Sequence, residues 1–139
     1  MNILEINSGD TAWILVSAAL VLLMTPGLAF FYGGMVRAKS VLNMMMMSFI
    51  SMGVIGVLWI LFGYSMSFGN SVGGAGLIGD PFEYAGLKGL LTYSPDAGYP
   101  ALAFVAFQAC FAIITVALVS GAIAGRAAFG AWTLFSVLW

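Results

Sequence analysis

The sequence predicts an all-α, polytopic membrane protein, and three observations carry that prediction. The 139 residues are 63% hydrophobic and 6% charged, whereas a soluble domain carries about a quarter charged residues. Mean hydropathy is +1.10. Three long stretches, Thr11–Val36, Val41–Phe68 and Pro100–Gly125, hold no charged side chain. So little polar surface cannot cover a globule in water, and the surrounding solvent is therefore lipid.

The first stretch, 11–36, is long enough at about 1.5 Å per residue to cross a hydrocarbon core of about 30 Å. Lipid offers the backbone no hydrogen bonds, so a single crossing segment must be helical. The leader MNILEINSGD has Glu5 and Asp10 and no basic residue. That is unlike a secretory signal, and the segment is expected to span. Pro26 and Gly27 interrupt it near the middle. A proline inside a helix removes one backbone hydrogen bond; a bend around a cavity and an ordinary packing kink both fit.

The second span is expected at 41–68. Its run Met44–Met47 suggests a soft metal site, but consecutive helical residues turn by about 100° each and point in four directions. Flexible core filling accounts for them better. Residues 69–99 follow as a connection rich in Gly, Pro and Ser, with a short surface helix expected near Pro81–Leu91. The third span, 100–125, repeats small residues at Ala117, Gly121 and Gly125, a stripe that lets helices approach closely. A partial fourth apolar run, 129–139, covers about 16 Å of helix and reads as the opening of a fourth span in a truncated sequence.

The loops set the orientation. Arg37 and Lys39 lie between the first two spans and Arg126 follows the third, whereas 69–99 holds Asp80, Glu83 and Asp96 against Lys88. Basic loops stay on the cytoplasmic side, so the N-terminus and the 69–99 connection are expected outside.

Several function classes drop out. A net charge of −1 gives no basic surface for nucleic acid. One cysteine and no histidine leave neither an intrachain disulfide nor a thiol or imidazole metal cluster. No metal or other cofactor is expected. No acid–base or nucleophile constellation is visible, so an enzyme is not expected.

One polar intrusion stands out: FQACF at 107–111, inside the third span. Phe107 and Phe111 share a helical face by i, i+4 spacing, and Phe104 extends it. Gln108 sits one step around; an amide in lipid costs several kcal/mol, on the order of 2–7, without a partner. It should face other helices or water and bring the aromatic face inward with it. Aromatic faces attract cations by about 0.5–2 kcal/mol. A cation entrance and a set of packing aromatics beside a bonded amide are both compatible with the spacing.

Three blocks in order, TPGLAFFYGGMVRAKSVLNMM at 25–45, LWILFGYSMSFG closing the second span, and FQACFAIITVALVSGAIAGR at 107–126, resemble the ammonium transporter family (Amt/Mep/Rh). The resemblance covers essentially the whole chain. It implies that 1–139 is the N-terminal part of a single membrane domain of eleven helices, here the first three and the start of a fourth. It further implies a homotrimer in the plasma membrane, with one narrow apolar pore per protomer. Ammonium, or methylammonium as its analogue, would be captured at an external aromatic vestibule, lose a proton, and cross as the neutral molecule. By motif position Phe107 resembles a vestibule wall residue and Phe111 one of two stacked gate rings; Tyr32, near the inner end of the first span, is a weaker pore-lining candidate. The family's paired pore histidines and remaining vestibule residues fall beyond this stretch, so this fragment alone is not expected to conduct. No cytoplasmic regulatory partner can be inferred from so few inner residues. A membrane-embedded ammonium sensor, a non-conducting accessory subunit, and a channel for another small solute are the rival readings.

Overall fold

The computed structural model describes residues 6–91 and 98–139. Two of the acidic residues expected on the outer side, Glu5 and Asp96, lie outside the described residues. Each uncharged stretch folds as a helix, and three continuous helical segments are long and apolar enough to cross a membrane: Ser8–Met35, Ala38–Phe68 and Ala101–Ile123. Among the described residues no strand forms; a lone antiparallel bridge joins Ser71 to Gly79.

Helix α1, Ser8–Met35, begins at Asn7. The Asn7 side-chain oxygen accepts from the backbone N–H of Gly9 at 2.8 Å and of Asp10 at 3.3 Å, satisfying donors that the first turn leaves unpaired. Pro26 lies inside α1 without ending it. A three-residue 3₁₀ turn, Ala38–Ser40, carries the chain into α2, Val41–Leu58. The methionine run behaves as its period requires: Met44 and Met47 are fully buried, whereas Met46 is exposed.

The second span is not one regular helix. After α2 a π-turn occupies Trp59–Gly63 before α3, Tyr64–Phe68. The expected surface helix at 81–91 is a single 3₁₀ turn, Ala85–Leu87. Gly86 at φ 63° and Leu87 at φ 61° leave the right-handed helical region there, so no longer helix can form.

Helix α4, Ala101–Val119, tightens into a 3₁₀ turn at Ser120–Ile123. Gly125 then takes φ 69°, a left-handed conformation that suits glycine and ends helices. The small-residue stripe therefore stops at Gly121, and Gly125 belongs to the turn before Arg126. Helix α5, Phe129–Leu138, follows.

Helices α1, α2 and α4 pack on one another, and α5 packs on α2. The main core gathers Met44, Met47, Ile55, Ile113, Val116 and Trp132. Fully buried Trp132 donates its indole N–H to the Met47 carbonyl at 2.8 Å, giving its polar atom the partner burial demands. A second cluster at the opposite end joins Tyr64, Leu90, Ala101 and Val105.

Candidate functional site

The candidate residues sit mainly on α4, which opens at Pro100, a residue that needs no hydrogen-bond partner for a backbone N–H it lacks. The buried face of α4 is formed by Ala103, Val105, Cys110, Ile113, Ile114, Val116 and Ala117. The phenyl pair lies beside that face. Phe107 and Phe111 meet edge to face, with centroids 5.1 Å apart and planes at 80°, the arrangement favoured by the ring quadrupoles. Phe107 and Gln108 are half-buried, and Phe111 is 41% exposed. Within these helices the aromatic face thus lies at the margin of the bundle, with Phe111 partly exposed. The Thr115 hydroxyl, on the same stripe, donates to the Phe111 carbonyl at 2.7 Å.

Phe104 joins a different group. Its ring meets Phe68 at 5.2 Å and Tyr99 at 6.5 Å. Phe68 in turn stacks on Tyr64 at 5.0 Å, and Trp59 meets Tyr64 at 5.9 Å and Phe68 at 6.4 Å. Sequence spacing misses this cluster for a clear reason. Residues five apart on an α-helix diverge by about 140°, so Trp59 and Tyr64 belong to different faces until the π-turn between them is known. The signal that was available is the indole of Trp59, whose N–H needs an acceptor in an apolar span. It donates to the Val105 carbonyl of α4 at 3.2 Å.

The connection after α3 folds back onto this end. The Glu83 carboxylate accepts from both the backbone and the side-chain amide of Asn70. Ser65 Oγ donates to the Asp80 carbonyl and accepts from the Tyr84 N–H at 2.9 Å. Gly79 is packed so closely that a Cβ there would lie 2.7 Å from the Ser65 carbonyl oxygen.

Tyr32 lies at the far end of the bundle from this aromatic cluster. Its hydroxyl donates to the Leu118 carbonyl at 3.1 Å, so the side chain bridges α1 and α4. The structure therefore does not bring Tyr32 together with Phe104, Phe107, Gln108 and Phe111. Among the described residues no cluster of three His, Cys, Asp or Glu side chains could hold a metal ion.

A family model described as Ammonium Transporter Family matches residues 12–139. The chain belongs to the ammonium transporter family. It is 60% identical over 149 residues to an ammonium transporter of Mycobacterium tuberculosis, an alignment covering 96% of this chain and 31% of that protein. It is 48% identical over 136 residues to an ammonium transporter of Aquifex aeolicus, covering 97% and 32%. The fold resembles the crystal structure of Saccharomyces cerevisiae Mep2 with a TM-score of 0.85 at 31% identity, over 99% of this chain and 31% of that one. Candida albicans Mep2 gives 0.81 at 29% identity, over 97% and 29%. The chain thus spans about a third of the length of the curated relatives it matches. Its apolar helices and its family together make it a membrane protein, and its family is one of transporters.

Proposed function

We propose that this segment belongs to a membrane domain that transports ammonium, entering beside Phe107 and Phe111. The observation that carries the reading is the family match over residues 12–139, joined to a relative named ammonium transporter at 60% identity. The partly exposed edge-to-face pair supports the entrance: two rings meeting at 5.1 Å, Phe107 half-buried and Phe111 41% exposed. Ring faces draw a cation that has begun to lose water, and the same rings exclude bulk water from the apolar passage behind them.

The physics favours conducting the neutral molecule. An unpaired ammonium ion in an apolar passage pays a Born penalty on the order of tens of kcal/mol, whereas ammonia carries no net charge. Deprotonation at the mouth also separates ammonium from potassium, which has no proton to lose. The outer side is the end bearing Asp80, Glu83 and Lys88, and the cytoplasmic side the end with Arg37, Lys39 and Arg126. The complete protein works as a homotrimer in the plasma membrane.

The deciding experiment measures methylammonium uptake by a full-length transporter carrying this segment, with Phe111→Ala alongside. Altered flux, or altered preference for ammonium over potassium, is the expected result. Unchanged flux and unchanged preference would remove Phe111 from the entrance.

A further inference from the structure

We propose a second cation position, one step outside the phenyl pair, held by the Asp10 carboxylate and the rings of Trp13, Tyr99 and Phe107. It deepens the proposed transport function and rests on Phe107 standing at the outer entrance.

The outer ends of α1 and α4 flank an open cavity of about 360 Å³, lined by Asp10, Trp13, Ile14, Ser17, Tyr99 and Phe107. The four residues from α1 follow i, i+3, i+4, i+7 spacing, so they form one face of that helix. The opposite wall comes from the start of α4 and the segment before it. These two walls are fastened together: the Asn7 N–H donates to the Gly98 carbonyl at 2.7 Å. Gly98 adopts φ 77°, and a Cβ there would stand 3.1 Å from Asp10 Oδ2. The carboxylate is thereby set against the segment that carries Tyr99.

A carboxylate in the first turn of a helix ordinarily serves the helix N-terminus. Here the side-chain capping bonds of that turn go to Asn7, which accepts from both Gly9 and Asp10. The Asp10 side chain is left to line the cavity. Of the four Lys and Arg residues, Arg37, Lys39 and Arg126 lie at the opposite end of the bundle, and Lys88, on the outer side, is exposed and does not line the cavity.

The chemistry selects the occupant. One carboxylate cannot supply the six or more oxygens a calcium ion takes. Three aromatic rings with one anion suit a small monovalent N–H or N–CH₃ cation, held by ring faces and a single counter-charge. Phe107 is shared: it lines this cavity and touches Phe111 at 5.1 Å. A cation leaving the outer position therefore moves directly onto the inner pair.

The test is initial-rate methylammonium uptake by the full-length transporter at low and high ionic strength. Asp10→Asn is expected to raise KM about two- to fivefold at low salt, with a much smaller change in Vmax. The difference should shrink at high salt as the charge is screened. Asp10→Glu should restore KM, and Trp13→Leu should raise it. An unchanged KM in Asp10→Asn, with Phe111→Ala still altering flux or preference, overturns the outer position and leaves the entrance intact. Equal impairment in Asp10→Asn and Asp10→Glu, independent of salt, would mean that the loss follows from altered packing and not from a missing counter-charge, and also overturns the proposal.

Discussion

The hydroxyl of Tyr32 donates to the Leu118 carbonyl at 3.1 Å, and its ring lies where a side chain at Gly121 would stand. A Cβ at position 121 would be 2.5 Å from Tyr32 Cζ and 2.6 Å from Oη. The two residues therefore explain each other. Gly121 is bare because the tyrosine fills its space, and Tyr32 reaches a helical carbonyl because nothing at 121 blocks it. Leu118 is close to where α4 tightens into its 3₁₀ turn at Ser120–Ile123, a region where carbonyls run short of backbone partners.

Gly121→Ala should accordingly force the Tyr32 ring aside and destabilise the folded protein by about 1–3 kcal/mol, the range for overpacking. Tyr32→Phe removes only the hydroxyl and should cost about 0.5–1.5 kcal/mol. Combining Gly121→Ala with Tyr32→Leu should cost less than the sum of the two, since the clash is shared. Thermal unfolding of the purified full-length transporter in detergent measures all four variants. Strict additivity would mean that the two positions do not compete for space.

Topology is testable at the exposed ends. Leu77 is 89% exposed in the connection after α3, and unlike Ser71, whose hydroxyl accepts from the Gly76 N–H at 2.7 Å, it gives up no hydrogen bond when replaced. On a cysteine-free full-length background, Leu77→Cys should react with a membrane-impermeant maleimide in intact cells. Ala38→Cys, beside Arg37 and Lys39, should react only after permeabilisation. The reverse pattern inverts the orientation derived from the basic turns.

The spans were legible because lipid imposes a single requirement over a long distance, and missing charges report it directly. Span limits at Val36 and Phe68 agree with helices ending at Met35 and Phe68. Local departures were not legible. Nothing in the composition of WILFG marks a π-turn, and the spacing of Ala117, Gly121 and Gly125 looked like a continuous stripe although Gly125 turns left-handed. For the candidate site, the Phe107–Phe111 contact followed from i, i+4 spacing. Phe104 departed from that stripe because its partners, Phe68 and Tyr99, come from elsewhere in the chain. The approach of Asp10 to Gly98 was equally hidden, because it accompanies a bond between Asn7 and Gly98, far apart in sequence.

Trp59 gives the last prediction. Its indole N–H bonds to the Val105 carbonyl at 3.2 Å, and its ring meets Tyr64 and Phe68 edge-on. The bond lands on α4 between Phe104 and Phe107, so it ties the irregular end of the second span to the segment bearing the proposed entrance. Trp59→Phe keeps most of the ring contacts and removes the donor; it should lower stability by about 0.5–1.5 kcal/mol. Trp59→Ala also removes the ring and should lower stability by about 3–5 kcal/mol. The gap between the two measures packing, and the smaller step measures the bond. Unfolding of the full-length transporter followed by temperature gives both. If Trp59→Phe and Trp59→Ala are equally destabilising, the hydrogen bond to Val105 rather than the aromatic cluster holds the two spans together at this end. If Trp59→Phe costs nothing, the ring alone does.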